Sequence, residues 1–335
     1  MHSFFDVIRT RATDGYVRTI LFPETEDERI LAAAKTLSDE GAVRPLLVCS
    51  KESVGTVKER GLEPVPIETE TVHELERFLI ALRASKVGTK DEMTSEEARA
   101  LALDPLMYAA YLLRTGNADG MVAGAVRTTA EVMRAGLWVV GKADGTNTVS
   151  SSFYMAVPPF RGGNVEEVLT FTDCAVVPEP TPDQLADIAI AASDARRRVV
   201  GDEPRVAFLS YSTKGSGNGP SVDAVREATE AMKKRRPDIV VDGEFQADAA
   251  LIASVAKRKA PESPVGGTAN VLVFPSLDAG NIAYKLVERL TPGAKAVGPI
   301  LQGIGKPMSD LSRGAASDDI IRTTLVVASQ AERRA

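Results

Sequence analysis

Short apolar runs rich in branched residues alternate along this chain with longer segments of helical period. This alternation limits the possible folds strongly, because it is typical of α/β proteins, in which helices join and cover mainly parallel strands. The apolar runs predict strands at residues 19–22, 46–49, 120–123, 150–157, 206–210, 239–241 and 271–274. The segments of helical period predict helices at residues 27–40, 72–85, 95–114, 129–140, 182–198, 221–235, 248–258, 277–290 and 317–331.

The length of the chain predicts two domains. Its 335 residues exceed the roughly 250 to 300 that one hydrophobic core usually supports. A polar stretch at residues 141–149 marks a crossover, and a second break falls near Thr291. The tail after that break is too short for a domain of its own and is expected to rejoin the first half. We therefore predict a discontinuous domain I of residues 1–147 plus 296–335, and a domain II of residues 148–295.

Charge and cysteine content restrict the partners and the compartment. The net charge of -6 argues against nucleic acid or an anionic membrane as a partner. The two cysteines, Cys49 and Cys174, cannot form a disulfide framework, and no Cys/His cluster indicates a metal. The N-terminus lacks the pattern of a signal peptide, and no apolar stretch has membrane-spanning length. We expect a soluble, cytoplasmic protein.

The polar segment 306–319 leads into the last predicted helix and has two interpretations. In the first it is only a capped helix start, with Ser317 as N-cap and acids complementing the positive helix end. In the second it is a reactive loop, because Ser312, Arg313 and a following acid supply a hydroxyl, a fixed cation and a base. Acyl transfer between phosphate and a thiol requires these groups. Since the chain has only two histidines, a carboxylate is the expected proton acceptor.

The same segment carries a family resemblance. Residues 310–314, Asp-Leu-Ser-Arg-Gly, resemble the signature of the phosphate acetyltransferases. Further similar strings follow the family's order along the whole chain, which makes the resemblance specific although each string alone is weak. They are residues 23–29, 124–134, 150–153, 171–176, 210–216, 242–246 and 281–285.

The resemblance implies both a fold and an activity. The implied fold is that of the isocitrate and isopropylmalate dehydrogenases, with two domains, each a mainly parallel sheet flanked by helices, and an active site in the interdomain cleft. The implied activity is reversible transfer of an acetyl group between coenzyme A and inorganic phosphate. Acetyl-CoA, coenzyme A, phosphate and acetyl phosphate would be the partners of a homodimer that binds no nucleic acid, membrane or metal. No cofactor is implied, because coenzyme A is a substrate.

Three residues fall on the family's catalytic positions: Ser312, Arg313 and Asp319. Our hypothesis is that Asp319 accepts the thiol proton of coenzyme A and that Ser312 donates a hydrogen bond to the developing oxyanion. Arg313 would hold the phosphoryl oxygens by two-point contact. The family often has cysteine where Ala315 stands, so a thiol at that position is not needed as a nucleophile.

Other positions are implied to contact substrate. Arg134 and Arg83 fall on substrate-contacting arginines of the family, but the segment after Arg83 is longer than the family's usual turn. Lys86 or Lys90 is therefore an alternative to Arg83. The remaining substrate-binding residues that we predict are Thr128, Ser212, Lys214, Asn281 and Lys285.

Several alternatives stay open at this point. A phosphate butyryl- or propionyltransferase would perform the same chemistry, and an NAD- and metal-dependent hydroxyacid dehydrogenase would share the fold. Cys174 is a buried apolar residue more often than a nucleophile at such a position. A run of acids near the predicted strand at 239–241 could hold magnesium, or its neighbours could bind substrate. These acids are Asp238, Asp242, Glu244 and Asp248.

Overall fold

The computed structural model describes residues 3–13, 15–85 and 93–332. The strands in these ranges are β1 (Thr19–Phe22), β2 (Arg44–Cys49), β3 (Glu63–Pro66), β4 (Gly120–Ala123), β5 (Ser150–Val157), β6 (Glu167–Thr172), β7 (Arg205–Leu209), β8 (Val240–Phe245), β9 (Val271–Val273), β10 (Lys295–Gln302) and β11 (Met308–Asp310).

The helices alternate with these strands along much of the chain. They are α1 (Phe4–Thr13), α2 (Glu28–Asp39), α3 (Val54–Glu59), α4 (Thr69–Ala84), α5 (Ser95–Ala102), α6 (Pro105–Arg114), α7 (Thr129–Ala135), α8 (Pro182–Val199), α9 (Pro220–Arg235), α10 (Ala247–Leu251), α11 (Ala253–Lys259), α12 (Leu277–Leu290) and α13 (Ser317–Gln330). A 3₁₀ segment, Lys51–Ser53, precedes α3, and a π-helical segment, Gly136–Val140, continues α7. None of the helices in the described ranges combines the length and apolarity needed to cross a membrane.

The chain divides into two compact units. Unit I consists of Arg9–Asp144 and Ile304–Ala335, and unit II consists of Met1–Ile8 and Gly145–Gly303. This division differs from the predicted domain limits in residues 1–8 and 145–147, which belong to unit II. Residues 296–303 belong to unit II as well. The reason is that β10 pairs antiparallel with β5 along most of its length.

Unit I is built on a parallel sheet with the strand order β3-β2-β1-β4-β11. Its central strands β1 and β4 are almost wholly buried, which agrees with their continuous apolar sequences. Because the strands are parallel, their carboxyl ends share one edge of the sheet. The loops after β1, β4 and β11 are therefore neighbours, and the last of them contains Ser312 and Arg313.

Unit II contains a mixed sheet with the strand order β10-β5-β6-β9-β7-β8. The pairs β10–β5 and β5–β6 are antiparallel, and the pairs β6–β9, β9–β7 and β7–β8 are parallel. Two clusters of buried side chains, from Phe153 to Ala294 and from Leu185 to Val273, form its core. The loop after β7 carries Ser212 and Lys214, and α12 carries Asn281 and Lys285, the other two polar residues predicted for this half of the chain.

Two predicted helices are wrong in their continuity. Residues 248–258 form α10 and α11, which are separated at Ile252. The sequence predicts a single helix over residues 95–114, but the chain forms α5 and α6 separately. Asp104 accepts a hydrogen bond from the N–H of Leu106 (2.8 Å) and Pro105 occupies the first helical position, so a new helix starts there.

Candidate active site

The segment that carries Ser312 and Arg313 is a short loop between β11 and α13. It begins where the N–H of Leu311 donates to the carbonyl oxygen of Ala123 (2.6 Å), so that β4 fixes its start. The side chains of Ser312 and Arg313 are exposed. Within the loop the N–H of Gly314 donates to the Ser312 hydroxyl oxygen (3.3 Å). Because the hydroxyl is the acceptor in this bond, its own proton can be donated to a substrate oxygen.

Asp319 lies in the first turn of α13, with 40% of its side chain exposed. Its Oδ2 accepts a hydrogen bond from the N–H of Ala316 (3.0 Å), and its Oδ1 accepts one from Arg322 (3.3 Å). The interpretation of Ser317 as N-cap is wrong, because the helix begins at Ser317 and Ala316, which has no side-chain acceptor, occupies the cap. The carboxylate of Asp319 thus stabilises the helix start, and its function as a base stays a prediction.

A buried carboxylate that sequence reasoning did not single out holds the loop after β4. Glu24 follows β1 and its side chain is fully buried. Its two carboxylate oxygens accept hydrogen bonds from four consecutive backbone N–H groups at 2.7, 2.9, 3.0 and 3.0 Å. These donors are Gly124, Ala125, Val126 and Arg127. Glu24 therefore fixes the segment that leads into α7.

Asp310, two residues before Ser312, is a second buried carboxyl group beside this loop. It is 2% exposed, and its Oδ1 has no hydrogen-bond partner among the described residues. A Cβ added at Gly124, whose φ is +105°, would lie 2.5 Å from that oxygen, so the close approach requires glycine. The pKa of Asp310 is raised to about 6. Burial is the largest cause, a hydrogen bond from Thr129 opposes the rise, and the charge of Glu24 adds to it.

Replacing Asp310 with asparagine is expected to stabilise the protein above about pH 6. An ordinary aspartate in the unfolded chain loses its proton near pH 4, whereas Asp310 in the folded chain keeps its proton to about pH 6. Between these values the folded state binds more protons, so the free energy of unfolding of the wild type falls as the pH rises. The advantage of Asp310→Asn should grow over this interval to roughly 2–3 kcal/mol and then stay constant.

Urea unfolding of both proteins between about pH 4 and about pH 7 checks this expectation. Asp144→Asn, at an exposed position of the same unit, is the control for removal of one negative charge. A stability difference between wild type and Asp310→Asn that does not vary with pH would contradict a proton held at Asp310.

Arg134 and Arg83, two predicted substrate contacts, lie near the same aromatic ring in unit I. Arg134 is exposed on α7, and its guanidinium carbon is 5.6 Å from the centre of the Trp138 ring. Arg83, on α4, lines a small cavity together with Trp138 and three apolar side chains. Trp138 belongs to the π-helical segment, an irregularity that is frequent at functional sites. Both arginines therefore have Trp138 as a neighbour.

Thr128 is the N-cap residue of α7. Its hydroxyl oxygen accepts a hydrogen bond from the N–H of Glu131 (3.4 Å), while its own N–H donates to the Glu131 carboxylate (2.8 Å). This reciprocal pair gives Thr128 a structural function, and a contact with substrate stays a prediction. The alternatives to Arg83, Lys86 and Lys90, lie outside the described residues.

Ser212 and Lys214 lie on the loop after β7 in unit II. The buried hydroxyl of Ser212 donates to Glu244 (2.7 Å), which also accepts two hydrogen bonds from Arg226 at 3.0 Å. Burial opposes the ionisation of Glu244, but the bonds from Arg226 and its other donors prevail and lower the pKa of Glu244 to about 2. Lys214 donates to Asp242 (2.5 Å). A substrate that binds Ser212 or Lys214 must compete with these contacts.

Asn281 and Lys285 lie on α12. The side-chain amide of Asn281 donates to the carbonyl oxygen of Cys174 (3.0 Å), and Lys285 is exposed with its Nζ 5.2 Å from the ring centre of Tyr284. Cys174 itself is fully buried in the core of unit II, and burial raises its pKa well above the usual value. The interpretation of Cys174 as a core residue is confirmed, because a nucleophilic cysteine requires an accessible thiolate.

The four acids around β8 are paired with cations. In the described part of the chain, no group of three or more His, Cys, Asp and Glu side chains is arranged to hold a metal. Each acid instead bonds to a lysine or an arginine, which neutralises the charge that a divalent ion would need. The pairs are Asp238 with Arg236, Asp242 with Lys214, Glu244 with Arg226 and Asp248 with Lys259.

Comparison with known proteins places the chain in a family. The sequence profile described as phosphate acetyl/butaryl transferase matches residues 3–328. A phosphate acetyltransferase of Acetivibrio thermocellus is 42% identical over 335 residues, which cover 98% of each chain. A phosphotransacetylase from Streptococcus pyogenes has a crystal structure that superimposes with a TM-score of 0.86 at 36% identity, covering 98% of this chain and 97% of that chain. The chain belongs to the phosphate acetyl/butaryl transferase family, a class of acyltransferases.

The predicted fold class is also confirmed. A 4-hydroxythreonine-4-phosphate dehydrogenase from Klebsiella pneumoniae superimposes with a TM-score of 0.50 at 13% identity, covering 94% of this chain and 100% of that chain. At this identity the likeness concerns the fold alone. It agrees with the prediction of an α/β fold of the isocitrate dehydrogenase type.

Proposed function

We propose that the loop of Ser312 and Arg313 carries out the reaction of this enzyme, a phosphate acetyltransferase. In this reaction acetyl-CoA and inorganic phosphate are converted reversibly into acetyl phosphate and coenzyme A. The observation that supports the assignment to this loop is that a hydroxyl and a guanidinium are exposed side by side, with the carboxylate of Asp319 at the start of the following helix.

In the direction that forms the thioester, the sulfur of coenzyme A attacks the carbonyl carbon of acetyl phosphate. The C–S bond forms through a tetrahedral oxyanion, and the C–O bond to the phosphoryl group then breaks to release phosphate. Asp319 takes the thiol proton in this proposal. Each of its two oxygens accepts one hydrogen bond, from Ala316 or from Arg322, so a lone pair on each oxygen is left to accept the proton.

Ser312 and Arg313 bind the two groups on which negative charge develops. The Ser312 hydroxyl donates to the oxyanion of the tetrahedral intermediate, and the Arg313 guanidinium bonds to two oxygens of the phosphoryl group. Both side chains are exposed before substrate binds, so neither has to leave a buried position to meet it.

Coenzyme A carries several phosphate groups that need cationic partners. Arg134 and Arg83 suit this function, since a guanidinium matches the geometry of a phosphate in two-point fashion. Their common neighbour Trp138 restricts where both side chains can lie. We assign the remaining substrate contacts to Thr128, Ser212, Lys214, Asn281 and Lys285.

A thiol-release assay with acetyl-, propionyl- and butyryl-CoA, each with and without phosphate, tests the function. We expect phosphate-dependent release that is fastest with acetyl-CoA. Discrimination by methylene groups is worth only about 1–3 kcal/mol, so longer acyl chains should react more slowly rather than not at all. Faster release with butyryl-CoA would identify a phosphate butyryltransferase, and release that does not depend on phosphate would contradict the proposal.

The enzyme is further proposed to be a homodimer. Helix α12 exposes three apolar side chains at a spacing of four residues, which places them on one face: Ile282 (57% exposed), Leu286 (53%) and Leu290 (73%). A second copy of the chain can cover such a face by two-fold symmetry. Light scattering should then give twice the chain mass of 35.7 kDa, and a mass of one chain would contradict the dimer.

Two further expectations concern the cellular compartment and the domains. We place the enzyme in the cytoplasm, where its two buried free cysteines, Cys49 and Cys174, meet a reducing environment. We also propose that unit I and unit II correspond to the predicted domains I and II.

A further inference from the structure

The side chain of Arg29, in the first turn of α2, makes hydrogen bonds to three separate segments of unit I. Its Nε and Nη2 donate to Asp27 (3.0 and 2.6 Å), the N-cap residue of the helix. Nη2 also donates to the carbonyl oxygen of Ala125 (3.0 Å) in the loop after β4. Nη1 donates to the carbonyl oxygens of Arg313 (2.8 Å) and Ala315 (2.7 Å) in the loop after β11.

These contacts use the full donor capacity of the guanidinium. An arginine side chain has five N–H bonds, one on Nε and two on each Nη. Asp27 accepts the N–H of Nε, and two carbonyl groups accept the two N–H bonds of Nη1. Asp27 and Ala125 accept the two N–H bonds of Nη2, so all five donors are used. A hydrogen bond from Arg29 to a substrate phosphate would therefore break one of these bonds, and Arg29 is unsuited to bind substrate.

The two acceptors in the Ser312 loop lie where their bonds to Arg29 can restrain its backbone. The loop is attached at its start through Leu311 and at its end through the Ala316 N–H that donates to Asp319. Between these points the carbonyl groups of Arg313 and Ala315 point to Arg29. Rotation of the backbone at Gly314 would move one carbonyl group away from Nη1, so the two bonds together restrain the loop where its side chains are exposed.

Asp27 keeps the guanidinium in place. The hydrogen bond from Arg29 is the largest of the effects that lower the pKa of Asp27, so its carboxylate stays charged at neutral pH. Asp27 also accepts the N–H of Arg29 (2.8 Å) as N-cap of α2. One acid thus fixes both the helix start and the orientation of the arginine that follows it.

We infer that Arg29 is a positioning residue for the acetyl transfer: it holds the backbone of the Ser312 loop so that the hydroxyl and the Arg313 side chain meet the substrate in a fixed geometry. The inference rests on the proposed function of that loop. It requires no contact between Arg29 and substrate, and it separates Arg29 from Arg83 and Arg134, which are proposed to bind coenzyme A.

Arg29→Lys is the informative substitution, because an ammonium keeps the charge but offers only three donors on one atom. A catalytic group displaced by about 1 Å can cost roughly 10²-fold in rate. We expect kcat to fall by about 10- to 100-fold, while KM for coenzyme A and for acetyl phosphate changes less than about threefold. Added guanidine should restore part of the kcat of Arg29→Ala. Arg60→Lys, at an exposed arginine that pairs with Glu28 next to Arg29, should leave kcat unchanged.

A double-mutant cycle separates positioning from a general effect on stability. If Arg29 acts through Ser312, then adding Arg29→Lys to Ser312→Ala lowers kcat little further, whereas independent effects multiply. Effects of the two substitutions that multiply would overturn the inference. An unchanged kcat in Arg29→Lys, with or without a raised KM, would also overturn it. If Arg29→Lys does not fold, Asp27→Asn is the second variant. Asparagine keeps an acceptor for the helix N–H but weakens the bonds to the Arg29 side chain, so kcat must fall in this variant.

The same cycle shows which proposal fails. If Ser312→Ala keeps full activity, the proposed function of the loop is wrong, and the inference about Arg29 falls with it. If Ser312→Ala loses activity and Arg29→Lys does not, only the inference about Arg29 is wrong.

Discussion

Asp319→Asn is expected to lower kcat by about 10²- to 10⁴-fold, the range that a positioned general base contributes. Asparagine cannot take a proton from the thiol of coenzyme A. Its side-chain oxygen can still accept the hydrogen bond from the N–H of Ala316, so the start of α13 should stay formed. The rate of thioester formation from acetyl phosphate and coenzyme A, with the melting temperature measured in parallel, checks both expectations.

The neighbouring acid provides a matched control. Asp318 is 74% exposed and bonds to the same Arg322 as Asp319 does (3.3 Å). Asp318→Asn therefore removes an equal charge from the same turn without removing the proposed base, and it should keep most of the activity. If the two variants lose activity equally, the loss reflects the charge of the helix start, and Asp319 is not the base.

Ser312→Ala is expected to lower kcat by about 10²- to 10³-fold, which corresponds to roughly 3–4 kcal/mol for one lost donor to an oxyanion. Among the residues that the structure describes, the hydroxyl accepts only the N–H of Gly314 (3.3 Å), and its loop is exposed, so the fold should change little. KM should stay near the wild-type value, because the oxyanion exists only near the transition state.

Steady-state kinetics with varied phosphate and acetyl-CoA check the expectation for Ser312→Ala. Ser317→Ala removes a hydroxyl at the start of the following helix and is the control for loss of a serine side chain in this segment. A raised KM with normal kcat would show that Ser312 binds substrate in its ground state and gives no oxyanion stabilisation.

Strand predictions were accurate where apolar character and burial coincide. The predicted limits of β1 and β4 are the observed ones, because both are short apolar runs in the middle of the parallel sheet of unit I. The strands β3, β6, β10 and β11 were not predicted. β10 contains Gly298 and Pro299, which interrupt its pairing with β5, and β11 has only three residues, of which Ser309 and Asp310 are polar.

The candidate site was predictable only where its residues are contiguous. Ser312, Arg313 and Asp319 lie within one segment, so they could be predicted together as one group from the sequence. Glu24 bonds to backbone groups about one hundred residues away, and Arg29 bonds to carbonyl groups 284 and 286 residues away. Backbone donors and acceptors leave no trace in side-chain composition, and for that reason neither residue could be given a function from its local sequence.

The four-donor contact of Glu24 has a consequence for nucleotide recognition. Many α/β proteins with this order of strands cradle a pyrophosphate on backbone N–H groups beyond the first strands of the sheet. In unit I the protein's own carboxylate already neutralises four such donors. A dinucleotide phosphate could bind these four N–H groups only by displacing a fully buried carboxylate, so this backbone turn is not available for phosphate recognition.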